Sequence, residues 1–485
     1  MRPTQAKEHH AAAPPPVPRL VPVPGSPARA HEADAAGAAG GGANGGRGGA
    51  DPLLPPGIGE ARAVDADVRG AVGRVLDHVL ADRLARARAV DALFAGDLAE
   101  RVADFTRTGG KRTRSQLLWW SLRACGGPVT LAPALRVGAA LELLQTCALV
   151  HDDVMDGAEL RRGRPALHAG LRDRYADAAS SRRAGRFAEA AGILAGDLAL
   201  AWADDLVAET PFDPTTARAV RRLWSDMRTE MVAGQYLDVH GQMAPGYSLP
   251  RALRAACLKS ALYSVERPLA LGAALAGADE VTTRALCSAG RCVGMAFQLR
   301  DDLDDVFGDP RRTGRPCGSD VREGKPTYLA ALARARAEAA ADGHALAVLR
   351  RSLGDGALTW EGLDEVREVL VRTGARAAVE TAIGRFVARG LRHLDRARLA
   401  PDGAARLRRM LGGVADGTSP EGGPERGAPS ASASVSTSAS TSTSASTSTS
   451  ASTSTSASAS TCASASTSTD ASAPPYASAE REARR

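Results

Sequence analysis

Lysine is scarce in this chain. Of 61 basic residues only four are lysines: Lys7, Lys111, Lys259 and Lys325. A compact ammonium and a planar guanidinium are not interchangeable at anion sites. A chain that uses arginine almost everywhere therefore marks its three internal lysines as functional positions. Cysteine is also sparse. The seven cysteines form no CxxC pair, which argues against a disulfide scaffold and a structural zinc site and fits a reducing cytoplasm. No long apolar run is present. The most apolar stretch, Leu131 to Val150, carries Arg136 and Glu142, so no transmembrane segment is expected. The N-terminus shows no uninterrupted apolar segment after its first basic residues, so no signal peptide is expected either. Strand-like alternation of useful length is missing, as are a P-loop and a Ser-His-Asp set. The net charge of +6 is scattered over Ala-rich helical stretches and paired with Asp and Glu. That pattern describes solvated helix faces and does not call for nucleic acid.

The ends of the chain differ from its middle. Residues 1–60 are rich in Ala, Pro and Gly, and residues 430–473 are almost entirely Ser, Thr and Ala. Such compositions bury too little apolar surface to offset chain entropy. Disordered tails are expected over 1–60 and 415–485, around one domain at 61–414. Within that domain the apolar pattern is helical throughout. Helices are expected over about 65–87, 90–104, 131–155, 187–208, 216–240, 249–276 and 281–307. One more is expected between Gly109-Gly110 and Gly126-Gly127-Pro128. A loop is expected over 314–324, with helices resuming at Pro326 and filling the chain to about Leu411. The fold class is all-α, a helical bundle.

Two acidic clusters dominate. Asp152-Asp153-Val154-Met155-Asp156 closes the apolar run, and Asp301-Asp302-Leu303-Asp304-Asp305 closes another helix about 150 residues later. On a helix, Asp152 and Asp156 stand at i and i+4, where like charges cost roughly 0.2–0.5 kcal/mol per pair. Something positive must offset that cost. All-oxygen donors favour Mg²⁺, with Mn²⁺ as the alternative, over zinc. Magnesium typically bridges a few carboxylates to substrate phosphates, so the implied ligand is an anion, most simply a diphosphate. Lys111, Arg114, Arg161, Arg162, Lys259 and Lys325 are available as counter-charges. An apolar core holding the tail makes the substrate a lipid-like diphosphate.

These residues fall into an ordered series: Gly109-Gly110-Lys111-Arg112-Thr113-Arg114, the first Asp cluster, Arg161-Arg162-Gly163, Gly196-Asp197, Gly234-Gln235, Lys259-Ser260, Gln298 to Asp305, and Gly318-Ser319-Asp320 with Glu323-Gly324-Lys325. Over roughly residues 65–410 the chain resembles the trans-isoprenyl diphosphate synthases (polyprenyl synthetases), particularly the geranylgeranyl diphosphate synthases. The resemblance implies an isoprenoid-synthase bundle with a deep central cavity, usually homodimeric. It implies Mg²⁺ held by Asp152, Asp153, Asp156, Asp301, Asp302 and Asp305 on an allylic diphosphate, with Arg161, Lys259 and Lys325 as direct partners. Arg315 stands where the family usually has Lys, also facing diphosphate. Lys111, Arg114 and Arg162, with Gln145 in place of a common His, are implied as the isopentenyl diphosphate site. Ser260, in place of the usual Thr, and Gln298 are implied to face the developing allylic cation, with Lys259 beside them.

The depth of the cavity is expected to set product length. Helical side chains lean toward the N-terminus, so an elongating tail runs back from Asp152 past Ala148 and Cys147, roughly 6–8 Å along the axis. In farnesyl-forming relatives bulky aromatics commonly block this depth. Both residues here are small, which predicts elongation past farnesyl to geranylgeranyl diphosphate, with a longer-chain or farnesyl product as the alternative. A terpene cyclase is disfavoured by the second Asp cluster and the Gly-Gly-Lys-Arg series. A non-catalytic subunit of a heteromeric prenyltransferase is disfavoured because no carboxylate is missing.

Overall fold

The computed structural model describes Leu54 and residues 60–126, 131–243, 248–310 and 317–413. The two expected tails, apart from Leu54 and Glu60, and Arg315 lie outside these residues. The chain divides into two units, Met1–Gly423 and Pro424–Arg485, and all described residues belong to the first.

Helices α1 (Ala61–Ala66) and α2 (Val68–Val90) meet at Asp67, whose carboxylate accepts from the Gly70 amide at 2.7 Å and caps α2. The sequence pattern reads as one helix from residue 65; the cap divides it. Helix α3 (Ala92–Phe94) passes through a π turn, Ala95–Ala99, into α4 (Glu100–Arg107). Helix α5 (Thr113–Cys125) starts after Arg112, which sits at φ 50°, and ends at Gly126, at φ 72°. Helix α6 (Leu131–Met155) is buried on nearly every side, as its all-round apolar sequence requires. It alone among the described helices is long and apolar enough to cross a membrane, and 78% of its most apolar window is packed inside the protein. Fully buried leucines such as Leu141, Leu143 and Leu144 each contribute about 1.5–3 kcal/mol of burial.

After α6 comes a two-strand hairpin, β1 (Leu160–Arg161) and β2 (Arg164–Pro165). Its loop residues, Arg162 and Gly163, both have positive φ, 55° and 72°, the backbone that two-residue hairpins favour. Helices α7 (Leu167–Arg174), α8 (Ser181–Ala208) and α9 (Pro214–Met243) follow. Helix α8 starts six residues earlier than the apolar pattern suggests, through the polar turn Ser181–Arg186. A long rod then runs as α10 (Leu249–Ala256), a π-helical segment (Cys257–Glu266) and α11 (Arg267–Leu275). Helix α12 (Glu280–Phe307) carries the second Asp cluster. Within the expected 314–324 loop, Ser319–Glu323 forms a short helix. The last helices are Tyr328–Ala339, Gly343–Ser352, Trp360–Arg372, Ala375–Leu394 and Pro401–Gly412.

One apolar core is centred on α6, packed by α2, α5 and α8; a second lies beneath the C-terminal half of α12 and the helices after it. The acidic ends of α6 and α12 emerge at the same cleft.

Candidate active site

The cleft has a volume of about 810 Å³, within the roughly 300–1,000 Å³ common for small-molecule sites. Its walls come from α5, α6, α9, the π segment, α12 and the chain around Lys325. Both arms of polar chemistry foreseen in the sequence reach it: Asp152, Asp301 and Asp302 as acids, and Lys111, Arg114, Arg161, Arg162, Lys259 and Lys325 as cations. Gln145, Cys147, Ala148, Ser260 and Gln298 line it as well. Asp153, Asp156 and Asp305 sit behind this surface, held by the cations and backbone around them.

Asp152 is the hub. Lys259 Nζ donates to its Oδ1 at 3.1 Å and to Asp238 at 2.7 Å, while Gln235 Nε2 donates to the same Asp152 oxygen at 3.0 Å. Arg161 donates to Asp153 at 2.6 Å through Nε and reaches Asp152 at 3.3 Å. Lys325 donates to Asp156 at 2.7 Å and also pairs with Glu323 at 2.6 Å and Asp320 at 3.7 Å. On α12, Gln298 donates to Asp302 at 2.7 Å and meets the Ser260 hydroxyl in a short contact. Asp305 accepts from the Ser319 hydroxyl and, at 3.1 Å, from the Asp320 amide.

The local backbone explains these placements. A π segment widens the helix by one residue per turn and commonly marks functional sites. Lys259 and Ser260 ride on it. Helix α9 approaches so closely that a Cβ at Gly234 would stand 2.3 Å from the Lys259 amide nitrogen. Gly234 thus brings α9, with Gln235 and Asp238, against the lysine. Near the C-terminal end of α6, a Cβ at Gly196 on α8 would meet the His151 ring at 2.1 Å. The ring fills that space, with Nε2 3.0 Å from the Ile193 carbonyl and Nδ1 3.8 Å from the Cys147 thiol. A carbonyl partner assigns the proton to Nε2 and leaves Nδ1 as an acceptor.

The electrostatics of the acids are uneven. Burial alone would raise the Asp152 carboxyl, but Lys259, Lys325 and Arg161 outweigh it and hold it down at about 2. Burial pushes Asp302 up to about 7 against the hydrogen bond from Gln298, helped by the charges of Asp301, Asp238 and Asp305. Burial also raises Asp153, Asp156, Asp305 and, by a wide margin, Asp320. Glu323 is raised by burial too, and a site in which six carboxyls are pushed upward leaves its buried acids under-compensated. One buried oxygen, Asp153 Oδ2, has no hydrogen-bond partner. This all-oxygen, charge-starved set suits a hard divalent cation. Among the described residues no three acidic, His or Cys side chains converge as a ready-made cage, so phosphate oxygens and waters must complete the coordination of any such ion.

Several participants were given no role from sequence. Gln235 belongs to the Gly234-Gln235 pair of the motif series, with Asp238 three residues on along the same helix; Asp320 and Glu323 belong to the series around Lys325. Tyr263 and Ser264 carried no sequence signal. They become visible only where the π segment turns them toward Arg114, whose guanidinium donates to Ser264 at 2.7 Å and lies 4.5 Å from the centroid of the Tyr263 ring.

The polyprenyl synthetase family model matches residues 97–355. The chain is 35% identical to the geranylgeranyl diphosphate synthase of Mycobacterium tuberculosis over 236 residues, 48% of this chain and 62% of that protein. It is 35% identical to the farnesyl diphosphate synthase of Geobacillus stearothermophilus over 250 residues, 50% of this chain and 77% of that one. It thus spans less than two thirds of the first of these relatives. Among solved structures, the geranylgeranyl pyrophosphate synthase of Corynebacterium glutamicum, complexed with isoprenyl diphosphate and magnesium, superposes with a TM-score of 0.67 at 33% identity, covering 71% of this chain and 98% of that one.

Proposed function

The chain belongs to the polyprenyl synthetase family, and from that premise we propose that it condenses isopentenyl diphosphate head-to-tail with allylic diphosphates, ending at geranylgeranyl diphosphate. The observation that carries this reading is the cleft itself: two acidic helix ends and six cations open onto one cavity whose lining, on the turn of α6 before Asp152, includes the small side chains of Cys147 and Ala148. Relatives named for farnesyl and for geranylgeranyl products are equally similar, so the product assignment rests on that wall.

In this proposal Asp152, Asp153, Asp156, Asp301, Asp302 and Asp305 hold Mg²⁺, with Mn²⁺ able to replace it. The bound ions supply Lewis-acid neutralisation of the departing diphosphate. Lys259, Lys325 and Arg161 bind the allylic diphosphate, which draws them off the carboxylates they now neutralise; Arg315 joins them. Lys111, Arg114, Arg162 and Gln145 hold isopentenyl diphosphate. The paired Ser260 and Gln298 present oxygen lone pairs to the allylic cation as it forms. Attack by the isopentenyl double bond forms the new C–C bond, and the proton lost from the adjacent carbon passes to the released diphosphate. The cavity around α6 takes the growing tail and excludes water.

A homodimer and a cytoplasmic location complete the proposal; the six described cysteines are all free thiols, which suits a reducing compartment. The test is condensation by the purified protein with and without Mg²⁺. Incubation with geranylgeranyl diphosphate alone separates this reading from a cyclase, because only a cyclase releases a hydrocarbon.

A further inference from the structure

Tyr263 and Ser264 stand out among the residues of the cleft to which the proposed chemistry gives no role. Both are buried, at 3% and 8% exposure, and both line the cavity. Ser264 Oγ accepts from an Arg114 terminal nitrogen at 2.7 Å, and the same guanidinium lies over the Tyr263 ring at 4.5 Å. A cation over an aromatic face with one nitrogen fixed by a hydroxyl has a defined orientation. Three polar atoms on residues that line this cavity are buried without a protein partner: Arg114 Nε, Gln145 Oε1 and the Tyr263 hydroxyl. A buried hydroxyl left unmet is costly, so an unpartnered one on a residue that lines a cavity points to a ligand that satisfies it.

We infer that Tyr263 and Ser264 form the seat of Arg114, and that the Tyr263 hydroxyl donates to the diphosphate of the homoallylic substrate which Arg114 binds. Ser264 is a positioning residue, acting through Arg114; Tyr263 both positions Arg114 with its ring and touches the substrate with its oxygen. The seat has a further consequence. Lys259 and Ser260 stand on the same π segment, Cys257–Glu266, four residues earlier. One rigid element therefore carries the seat of the homoallylic diphosphate and the groups that face the allylic one, which fixes the two substrates relative to each other.

The inference rests on the proposed function, and the test separates the two. Condensation by the wild-type protein tests the function. Titration calorimetry with isopentenyl diphosphate, followed by steady-state kinetics, tests the seat, using Tyr263→Phe, Ser264→Ala and the hydroxyl-retaining Ser264→Thr in the full chain. For Tyr263→Phe and Ser264→Ala, Kd and KM for isopentenyl diphosphate are expected to rise roughly tenfold, as loss of a hydrogen bond around a charged group implies. KM for the allylic substrate stays within about twofold, and Ser264→Thr recovers most of the lost affinity. A Kd for isopentenyl diphosphate unchanged in both variants overturns the inference. So does an equal rise in both KM values, which marks a merely structural role. A wild-type protein that binds isopentenyl diphosphate without condensing it removes the proposed function and leaves the seat to be judged by the binding data.

Discussion

Lys259 shows what a single side chain does in this site. Its ammonium bridges Asp152 and Asp238 at 3.1 and 2.7 Å, and burial, which alone would lower it, is outweighed by those acids so that it stays charged. Its rarity already marked it in the sequence. Lys259→Ala strips Asp238 of its lysine and leaves Asp152 to Arg161 and Gln235, so kcat/KM is expected to fall on the order of a hundredfold or more, with KM for the allylic substrate rising; a decrease under threefold contradicts its role. Cys147 is the second test at this scale. It is buried at the cavity wall beside His151, and burial pushes its thiol up to about 12, so it acts there as a small neutral side chain. Cys147→Phe is expected to shift the main product from twenty to fifteen carbons, read by chromatography of the dephosphorylated prenols; unchanged products remove the depth argument. Asp302 supplies a pH signature. Burial lifts it to about 7, so below that pH it carries a proton which a ligated cation must displace. The half-saturating Mg²⁺ concentration is therefore expected to rise as pH falls through about 7, by up to about tenfold per unit, and Mg²⁺ binding in the presence of substrate should release protons. A flat dependence between pH 6 and 8 contradicts this.

The helices were legible in the sequence because apolar periodicity and Gly or Pro stops coincide at their ends. Helix α6 spans residues 131–155 as its pattern says, and α12 differs from expectation by one residue. The acidic clusters were legible for the same reason: each is a local string at the end of a strong helix. Other features depended on packing that no local pattern carries. The π segment of Cys257–Glu266 reads as ordinary helix, because a one-residue widening leaves the apolar stripe almost intact. Asp67 divides a helix that periodicity alone makes continuous, since capping depends on one carboxylate turning back to the Gly70 amide. The seat of Arg114 joins residues 150 positions apart. The π segment also yields a prediction. Gly234→Ala drives a methyl against the Lys259 backbone, 2.3 Å away, so α9 must move off the segment. A loss of about 1–3 kcal/mol of stability is expected, together with a several-fold fall in kcat/KM. Thermal unfolding and steady-state kinetics check both; an unchanged midpoint denies that α9 presses the lysine into place.

For the molecule as a whole, fold and chemistry meet where α6 and α12 both end at one cleft. The apolar core that stabilises the bundle also surrounds the cavity proposed to receive a hydrocarbon tail, and the charged rim is the proposed diphosphate site. The tails expected at 1–60 and 415–485, apart from Leu54 and Glu60, lie outside the described residues, and every residue of the cleft belongs to the helical domain. The central claim is that this cleft joins five-carbon units under Mg²⁺ until the cavity is full. It is tested most directly by incubating the purified full chain with labelled isopentenyl diphosphate and dimethylallyl, geranyl or farnesyl diphosphate in turn, with Mg²⁺ or with chelator, and sizing the products. Mg²⁺-dependent incorporation from these starters, converging on the twenty-carbon diphosphate, is the expected result. No incorporation by the homomeric protein with any starter, or incorporation that persists under chelation, contradicts it.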